Sequence, residues 1–125
     1  MTIEVRILGC GSSGGVPRLG EGGPQWGVCD PAQPRNRRTR CSVLVSRKGA
    51  NGDTRALVDT SPDLREQLLA AKVGRLDGVL ITHDHADQTH GMDDLRVLVL
   101  AAKGRKIDLW SVSYTHLTLP TICSV

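Results

Sequence analysis

Two histidines and two aspartates lie close together directly after a short apolar run. Residues 78–81, Gly-Val-Leu-Ile, predict a buried strand, and residues 83–87, His-Asp-His-Ala-Asp, follow it at once. Side chains two positions apart in an extended segment point the same way, so His83, His85 and Asp87 can converge. Nitrogen and carboxylate ligands suit zinc, manganese or iron, and the carboxylate favours a hydrolytic centre. The pattern indicates a metal site.

The alternative interpretation is a polar loop with surface histidines, since short motifs also occur by chance. The context argues against it, because an apolar strand precedes the cluster, Gly91 follows it, and an amphipathic segment lies beyond. Strand, loop and helix in this order hold side chains rigidly at the carboxyl edge of a sheet. We therefore expect His83 and His85 to bind a metal.

Three segments resemble one known family. Residues 82–91, Thr-His-Asp-His-Ala-Asp-Gln-Thr-His-Gly, resemble the His-x-His-x-Asp-His signature of the metallo-β-lactamase superfamily of metal-dependent hydrolases. Residues 8–17, Leu-Gly-Cys-Gly-Ser-Ser-Gly-Gly-Val-Pro, resemble the glycine-rich loop of the branch that contains phosphoribosyl 1,2-cyclic phosphate phosphodiesterase. Residues 57–60, Leu-Val-Asp-Thr, resemble the superfamily's Leu-Ile-Asp strand end. The resemblance covers most of residues 1–110 and implies an α+β fold, the N-terminal half of an αββα sandwich, truncated.

The resemblance also implies roles for particular residues. His83 and His85 would bind the first metal, and Asp87 would bind the second while orienting the bridging hydroxide, which makes it the expected catalytic residue. Gln88 occupies the position of the motif's last histidine, and its amide oxygen is a weaker ligand than an imidazole nitrogen. Either Gln88 is a weak or indirect ligand, which we favour, or His90 replaces it, or one ion predominates. We expect His90 to begin the next helix.

The remaining segments of the resemblance would support the site. Asp59 would buttress the metal loop. Gly9, Gly11 and Gly14 would let the backbone turn tightly and approach the metal pocket. These glycines also match the Gly-x-Gly-x-x-Gly fingerprint of dinucleotide-binding folds, which requires a helix directly afterwards. The prolines and glycines of residues 16–24 oppose a helix, so the dinucleotide interpretation is disfavoured.

The implied reaction is hydrolysis of a phosphodiester, in particular a small cyclic one similar to phosphoribosyl 1,2-cyclic phosphate, through a metal-bound hydroxide. The expected cofactor is zinc or manganese, as one or two ions. Residues 35–40, Arg-Asn-Arg-Arg-Thr-Arg, offer guanidinium groups that match phosphate oxygens, so Arg37, Arg38 and Arg40 are candidate substrate-binding residues. The alternative is a solvated basic loop, because charge runs usually face water.

Residues 111–125 differ from the rest of the chain, because they contain no Lys, Arg, Asp or Glu. Residues 112–121 match the translation of a transposase-based sequencing-library adaptor. We therefore expect residues 1–110 to be the N-terminal half of the domain and residues 111–125 to be a non-native tail. The remaining metal ligands would then lie in sequence beyond residue 110, and the 125-residue chain would have little activity.

Composition favours a cytoplasmic protein. No apolar run approaches the length of a membrane span, and the first residues, Met-Thr-Ile-Glu, do not resemble a signal peptide. Outside the tail, Cys10, Cys29 and Cys41 lack Cys-x-x-Cys spacing, so we expect reduced thiols. A net charge of +3 is too small for a nucleic-acid footprint. The expected partner is a small phosphorylated substrate, with no membrane, and the oligomeric state stays open.

Hydrophobic patterning predicts the elements that position these residues. The predicted strands are residues 2–8, 41–47, 55–59, 79–82 and 107–110. Asn51-Gly52 predicts a hairpin turn. Ser61, followed by a proline, predicts a helix start, and Gly74 its end. A second helix is expected at residues 93–103, with carboxylates at its first turn.

Three functions stay open at this point. The favoured one is a metal-dependent phosphodiesterase. The others are a hydrolase of the same fold that acts on RNA, a thioester or a lactone, and an inactive fragment or binding module. A fold alone does not specify a substrate, so pocket chemistry must distinguish the first two.

Overall fold

The computed structural model describes residues 1–111. Its strands are β1 (Thr2–Gly9), β2 (Arg18–Gly20), β3 (Gly23–Gln25), β4 (Ser42–Gly49), β5 (Gly52–Val58), β6 (Gly78–Ile81) and β7 (Asp108–Ser111). Its α-helices are α1 (Leu64–Ala71), α2 (Ala86–Thr89) and α3 (Asp94–Ala101). None of the helices in this range is long and apolar enough to cross a bilayer.

One five-stranded sheet dominates the structure, in the order β1-β4-β5-β6-β7. Neighbours β1, β4 and β5 pair antiparallel, and β6 and β7 continue the sheet parallel to β5. As a result β1, β5 and β6 all end at the same edge of the sheet, where β4 begins. We call this the carboxyl edge. It brings together the glycine-rich loop after β1 (residues 8–17), the arginine loop before β4 (residues 35–40) and the segments after β5 and β6.

The core lies between one face of this sheet and helices α1 and α3. Leu57 and Val79 are paired neighbours on β5 and β6, and both are completely buried because alternate strand residues face the helices. Burial of these apolar side chains is the main stabilising contribution. The buried apolar residues are Leu44, Leu57, Leu64, Leu68, Leu76, Val79, Ile81, Met92 and Leu95.

The opposite face of the sheet is apolar and exposed. Val5 on β1 is 63% exposed and Trp110 on β7 is 56% exposed, and Ile3, Ile7 and Leu80 are exposed on the same face. Soluble monomers rarely leave an apolar patch of several strands open to water. Within residues 1–111 the helices cover only the face that carries the core. We call the exposed face the outer face.

Several boundaries differ from the sequence predictions for local reasons. The hairpin pairs Gly49 with Gly52, so β5 begins at Gly52 and the predicted turn at Asn51-Gly52 is displaced by one residue. Helix α1 begins at Leu64 rather than at Ser61, because residues 61–64 form a separate turn in which Leu64 N donates to Ser61 O at 3.0 Å. It ends at Ala71, before Lys72 adopts a left-handed conformation, rather than at Gly74.

The loop that follows β1 excludes the dinucleotide-binding interpretation. No helix follows Gly14, and the chain runs instead into the short antiparallel hairpin of β2 and β3. The helix N-terminus that would hold a pyrophosphate is therefore missing from this position. Cys10, Cys29 and Cys41 are free thiols, as expected.

Candidate metal centre

Residues 82–91, which we call the histidine loop, follow β6 at the carboxyl edge and place two imidazoles side by side. The ring centroids of His83 and His85 are 4.5 Å apart, with the ring planes at 72°. His85 is extended and is the last residue before α2, whereas Asp87 lies inside that helix. The predicted alternation therefore stops at His85, because a helix rotates each residue by about 100°. Within residues 1–111, no three His, Cys, Asp or Glu side chains are grouped to hold a metal.

Hydrogen bonds behind the loop orient His83. Asp59 Oδ1 accepts from Thr82 N at 2.8 Å, and both Asp59 carboxylate oxygens lie within 3.0 Å of Thr82 Oγ1. Thr82 Oγ1 is also 2.8 Å from His83 Nδ1. A carboxylate only accepts and a hydroxyl has one proton, so Thr82 donates to Asp59 and accepts from His83. His83 consequently carries its proton on Nδ1, which leaves the Nε2 lone pair free for a metal.

Asp59 occupies this position at a conformational cost. Its φ of 66° lies in the left-handed region, which is rare for residues other than glycine but tolerated by aspartate. Asp59 N donates to Leu80 O at 2.8 Å, and Ser42 Oγ donates to Asp59 O at 2.9 Å. Three strands thus hold one buried residue, and its carboxylate faces the start of the histidine loop.

The far end of the histidine loop contacts the turn that follows β5. Thr60 donates to Gln88 O from its backbone nitrogen at 2.9 Å and from its hydroxyl at 3.0 Å. Gly91 N donates to Thr60 O at 3.1 Å, and a Cβ at Gly91 would overlap the Ser61 carbonyl group. Only glycine permits this approach. His90 is exposed at the end of α2, and α3 begins only at Asp94. The prediction that His90 begins the next helix is therefore wrong.

Gln88 has an unpaired oxygen in a buried position. Its residue surface is 7% exposed, and Nε2 donates to Asp87 Oδ2 at 3.0 Å. Gln88 Oε1 has no hydrogen-bond partner in the described part of the chain. Burying such an acceptor costs about 1–3 kcal/mol unless something pairs with it. Imidazole, carboxylate and amide oxygen are donor types that suit a divalent metal, but within residues 1–111 the two histidines and the carboxylate of Asp87 are not grouped around one position.

The three candidate arginines differ in their contacts. Arg40 Nε lies 3.0 Å from Asp63 Oδ2, and Arg40 N donates to the same oxygen at 2.9 Å. The Arg37 guanidinium lies 5.6 Å from the centroid of a Trp26 ring. Arg38 Nη1 donates to the Cys10 thiol at 3.5 Å. Arg40 therefore already has a carboxylate partner, whereas no ion pair neutralises Arg37 or Arg38 within residues 1–111.

Gly9 and Gly11 contact the arginine loop, whereas Gly14 lies against the side chain of Arg18. A Cβ at Gly11 would lie 2.7 Å from the carbonyl oxygen of Thr39, and a Cβ at Gly9 would overlap that of Arg40. A Cβ at Gly14 would lie 2.8 Å from Nε of Arg18. The first two glycines let two backbones meet, and the third leaves room for a long side chain.

Gln67 is a polar residue of this region that sequence reasoning missed. It is 4% exposed, and its Nε2 donates to Thr39 Oγ1 at 2.9 Å and to Arg40 O at 2.8 Å. Its Oε1 accepts from Ser61 Oγ at 2.8 Å. The available signal is a glutamine next to Leu68 on the core-facing side of α1. Such a buried amide must find partners, and here they belong to two different loops.

Comparison with known proteins identifies the family. The family profile described as the beta-lactamase superfamily domain matches residues 54–121, more than half of the chain. A crystal structure of a diphosphatase from the PhnP family superimposes with a TM-score of 0.82 and 34% identity. That match covers 98% of this chain and 47% of the diphosphatase.

The curated relatives that the chain matches are also much longer than the chain. The coenzyme PQQ synthesis protein B of Rhodopseudomonas palustris is 33% identical, over 75% of this chain and 32% of the relative. The octanoyltransferase of Porphyromonas gingivalis is 42% identical, over 74% of this chain and 18% of the relative. The chain thus spans under half the length of the proteins it matches. The α+β architecture predicted from the resemblance is confirmed, and the chain belongs to the metallo-β-lactamase superfamily, of which it contains an N-terminal part.

Proposed function

We propose that the protein to which this chain belongs is a metal-dependent phosphodiesterase acting on a small cyclic phosphodiester. The observation that carries the proposal is the contact series from Asp59 through Thr82 to His83, which leaves His83 Nε2 available to a metal. Membership of a hydrolase superfamily supports the reaction type. The likeness to a PhnP-family diphosphatase supports a phosphate-containing substrate.

The proposed metal site uses the histidine loop. His83 and His85 would hold one divalent ion, zinc or manganese, and Asp87 with the unpaired Gln88 oxygen would contribute to a second. When bound, such an ion acidifies water and neutralises negative charge on phosphoryl oxygens. Asp87 would orient the attacking water by accepting its hydrogen bond.

The proposed site needs ligands beyond those described. His83 and His85 give the first ion only two protein ligands, and Asp87 and Gln88 give the second ion only two, whereas a catalytic metal site uses at least three. We propose that the missing ligands lie in the part of the relatives that this chain does not match. On this proposal the 125-residue chain has little activity, whereas the complete protein is active.

The test compares metal-dependent hydrolysis of bis(p-nitrophenyl) phosphate by the complete protein and by the 125-residue chain. His83→Ala and His85→Ala in the complete protein should each lower kcat/KM by more than about a hundredfold. Loss of a residue that only supports a metal ligand typically costs about 10- to 100-fold. His90→Ala is the control, since His90 is exposed at the end of α2 and should retain turnover.

Two outcomes would contradict the proposal. Unchanged turnover in His83→Ala would remove His83 from the metal site. Faster hydrolysis of a thioester or a lactone than of any phosphodiester, measured in parallel, would assign the other substrate class of the superfamily.

A further inference from the structure

A basic pocket lies between the glycine-rich loop and the arginine loop, at the carboxyl edge. Its volume is about 390 Å³, and residues 14–20 and 37–40 form most of its lining. Four arginines and one aspartate line it, which are Arg18, Arg37, Arg38, Arg40 and Asp63. We propose that this basic pocket binds a phosphate ester or diphosphate through Arg18 and Arg38, with the organic group of the ligand on the apolar wall.

The charge of the basic pocket is unbalanced. Among the described residues that line it, Asp63 is the only acidic one. Asp63 Oδ2 already forms an ion pair with Arg40 Nε at 3.0 Å and accepts a hydrogen bond from Arg40 N at 2.9 Å. The side chain of Arg18 makes no hydrogen bond and no ion pair with the described residues, and the side chain of Arg38 donates a hydrogen bond only to the Cys10 thiol. Guanidinium groups without a carboxylate partner present their paired donors to phosphate oxygens.

Gly14 places Arg18 at the wall of the basic pocket. A Cβ at this position would lie 2.8 Å from Arg18 Nε and 3.4 Å from its Cγ, so the arginine stem lies directly over the glycine. The third glycine of the loop is thereby explained by side-chain room rather than by a backbone turn. Sequence reasoning assigned no role to Arg18, because it lies outside the arginine run.

Four apolar residues, Val16, Pro17, Leu19 and Pro24, also line the basic pocket and form its apolar wall. Val16 and Pro17 are half-buried, and Leu19 and Pro24 are exposed. Inorganic phosphate would use only the guanidinium side, whereas an ester with a carbon-rich group would also cover the apolar wall. Removing that surface from water adds binding free energy in proportion to its area. The pocket therefore favours an organic phosphate over the free ion.

The basic pocket is tied to the candidate metal centre by hydrogen bonds. Gln67 bonds Thr39 and Arg40 on the pocket side and Ser61 on the other, and the neighbouring Thr60 bonds Gln88 O. A ligand held here has a fixed relation to the histidine loop, so it suits the non-reacting phosphate end of a substrate. That catalytic role rests on the proposed function, whereas anion binding does not require a metal.

The experiment titrates phenyl phosphate and inorganic phosphate into the metal-free 125-residue chain and into the complete protein, followed by amide NMR shifts of residues 14–20. Arg18→Gln and Arg38→Gln should each weaken phenyl phosphate binding about tenfold, the typical value of one charge-assisted contact. Neither side chain forms an ion pair with the described residues, and Arg38 has only a long hydrogen bond to a thiol, so neither substitution should unfold the protein. Arg35→Gln is the matched control, because Arg35 is exposed in the same loop but does not line the pocket.

The outcomes separate the two proposals. Wild-type affinity in both Arg18→Gln and Arg38→Gln, or an equal loss in Arg35→Gln, would overturn the basic pocket as the binding site. Equal affinity for phenyl phosphate and inorganic phosphate would overturn the role of the apolar wall. Intact binding in His83→Ala is expected, and a loss there would assign the anion to the histidine loop. Pocket binding without metal-dependent phosphodiester hydrolysis in the complete protein would defeat the proposed function alone.

Discussion

Gln67 Nε2 donates a hydrogen bond to the carbonyl oxygen of Arg40 at 2.8 Å, which joins α1 to the arginine loop. The same side chain also bonds Thr39 and, through Oε1, Ser61. Both polar side-chain atoms of Gln67 therefore have hydrogen-bond partners inside the protein. One buried amide thus connects the wall of the basic pocket with the turn that supports the histidine loop.

Gln67→Leu should lower the free energy of unfolding by about 3 kcal/mol or more, since each buried polar group left unpaired costs about 1–3 kcal/mol. Urea denaturation of the 125-residue chain measures the change. Gln25→Leu is the control, because Gln25 is exposed on β3 and exposed substitutions usually change stability by about 0.5 kcal/mol or less. An equal loss in both variants would show that the buried hydrogen bonds contribute nothing.

Thr82→Val should remove the hydrogen bond that keeps the proton of His83 on Nδ1. In the native chain, ¹⁵N NMR should show the proton on Nδ1, because Thr82 Oγ1 accepts from that atom. In Thr82→Val the Nε2-protonated form should become populated, and zinc affinity should fall about 10- to 100-fold. Thr82→Ser should preserve the native tautomer.

Thr54→Val is the matched control for this prediction, since Thr54 is exposed on β5, away from the carboxyl edge. It should leave both the tautomer and the zinc affinity unchanged. A native-like tautomer in Thr82→Val would mean that Asp59 does not act on His83 through the hydroxyl.

Gln88→Met should separate stability from metal binding. The substitution removes the unpaired Oε1, so the metal-free chain should keep its free energy of unfolding to within about 1 kcal/mol. Zinc affinity, measured by competition with a chelating dye, should fall. Gln88→His should raise it, because imidazole nitrogen is a better zinc ligand than an amide oxygen. Identical zinc affinity in all three proteins would exclude Gln88 from the metal site.

Val5→Lys should reduce binding of the dye ANS to the 125-residue chain with little loss of stability. Val5 lies at the centre of the β1 part of the outer face and is largely exposed, so a lysine there meets no packed neighbour. Val28→Lys is the control, because Val28 is fully exposed on a loop outside the sheet. A similar decrease of ANS fluorescence in both variants would show that the outer face is not where the dye binds.

Much of the sheet could be predicted because strand periodicity is local. The strands bearing Leu57 and Val79 follow from apolar runs that end at polar residues, and both overlap the predicted ranges, although β5 begins three residues earlier than predicted. Element ends were less predictable, since they depend on single bonds such as that from Leu64 N to Ser61 O. The hairpin of β2 and β3 was missed because it is short and rich in glycine and proline.

The sequence by itself determined the family, the candidate ligands His83 and His85, and the presence of a basic loop, because residue types and short spacings are properties of the chain. Only the tertiary structure decided how Asp59 reaches His83 through Thr82, that Arg40 is paired with Asp63, and that Arg18 joins the basic pocket. These relations join residues that are distant in sequence. They exist only after the sheet brings the ends of β1, β5 and β6 to one edge.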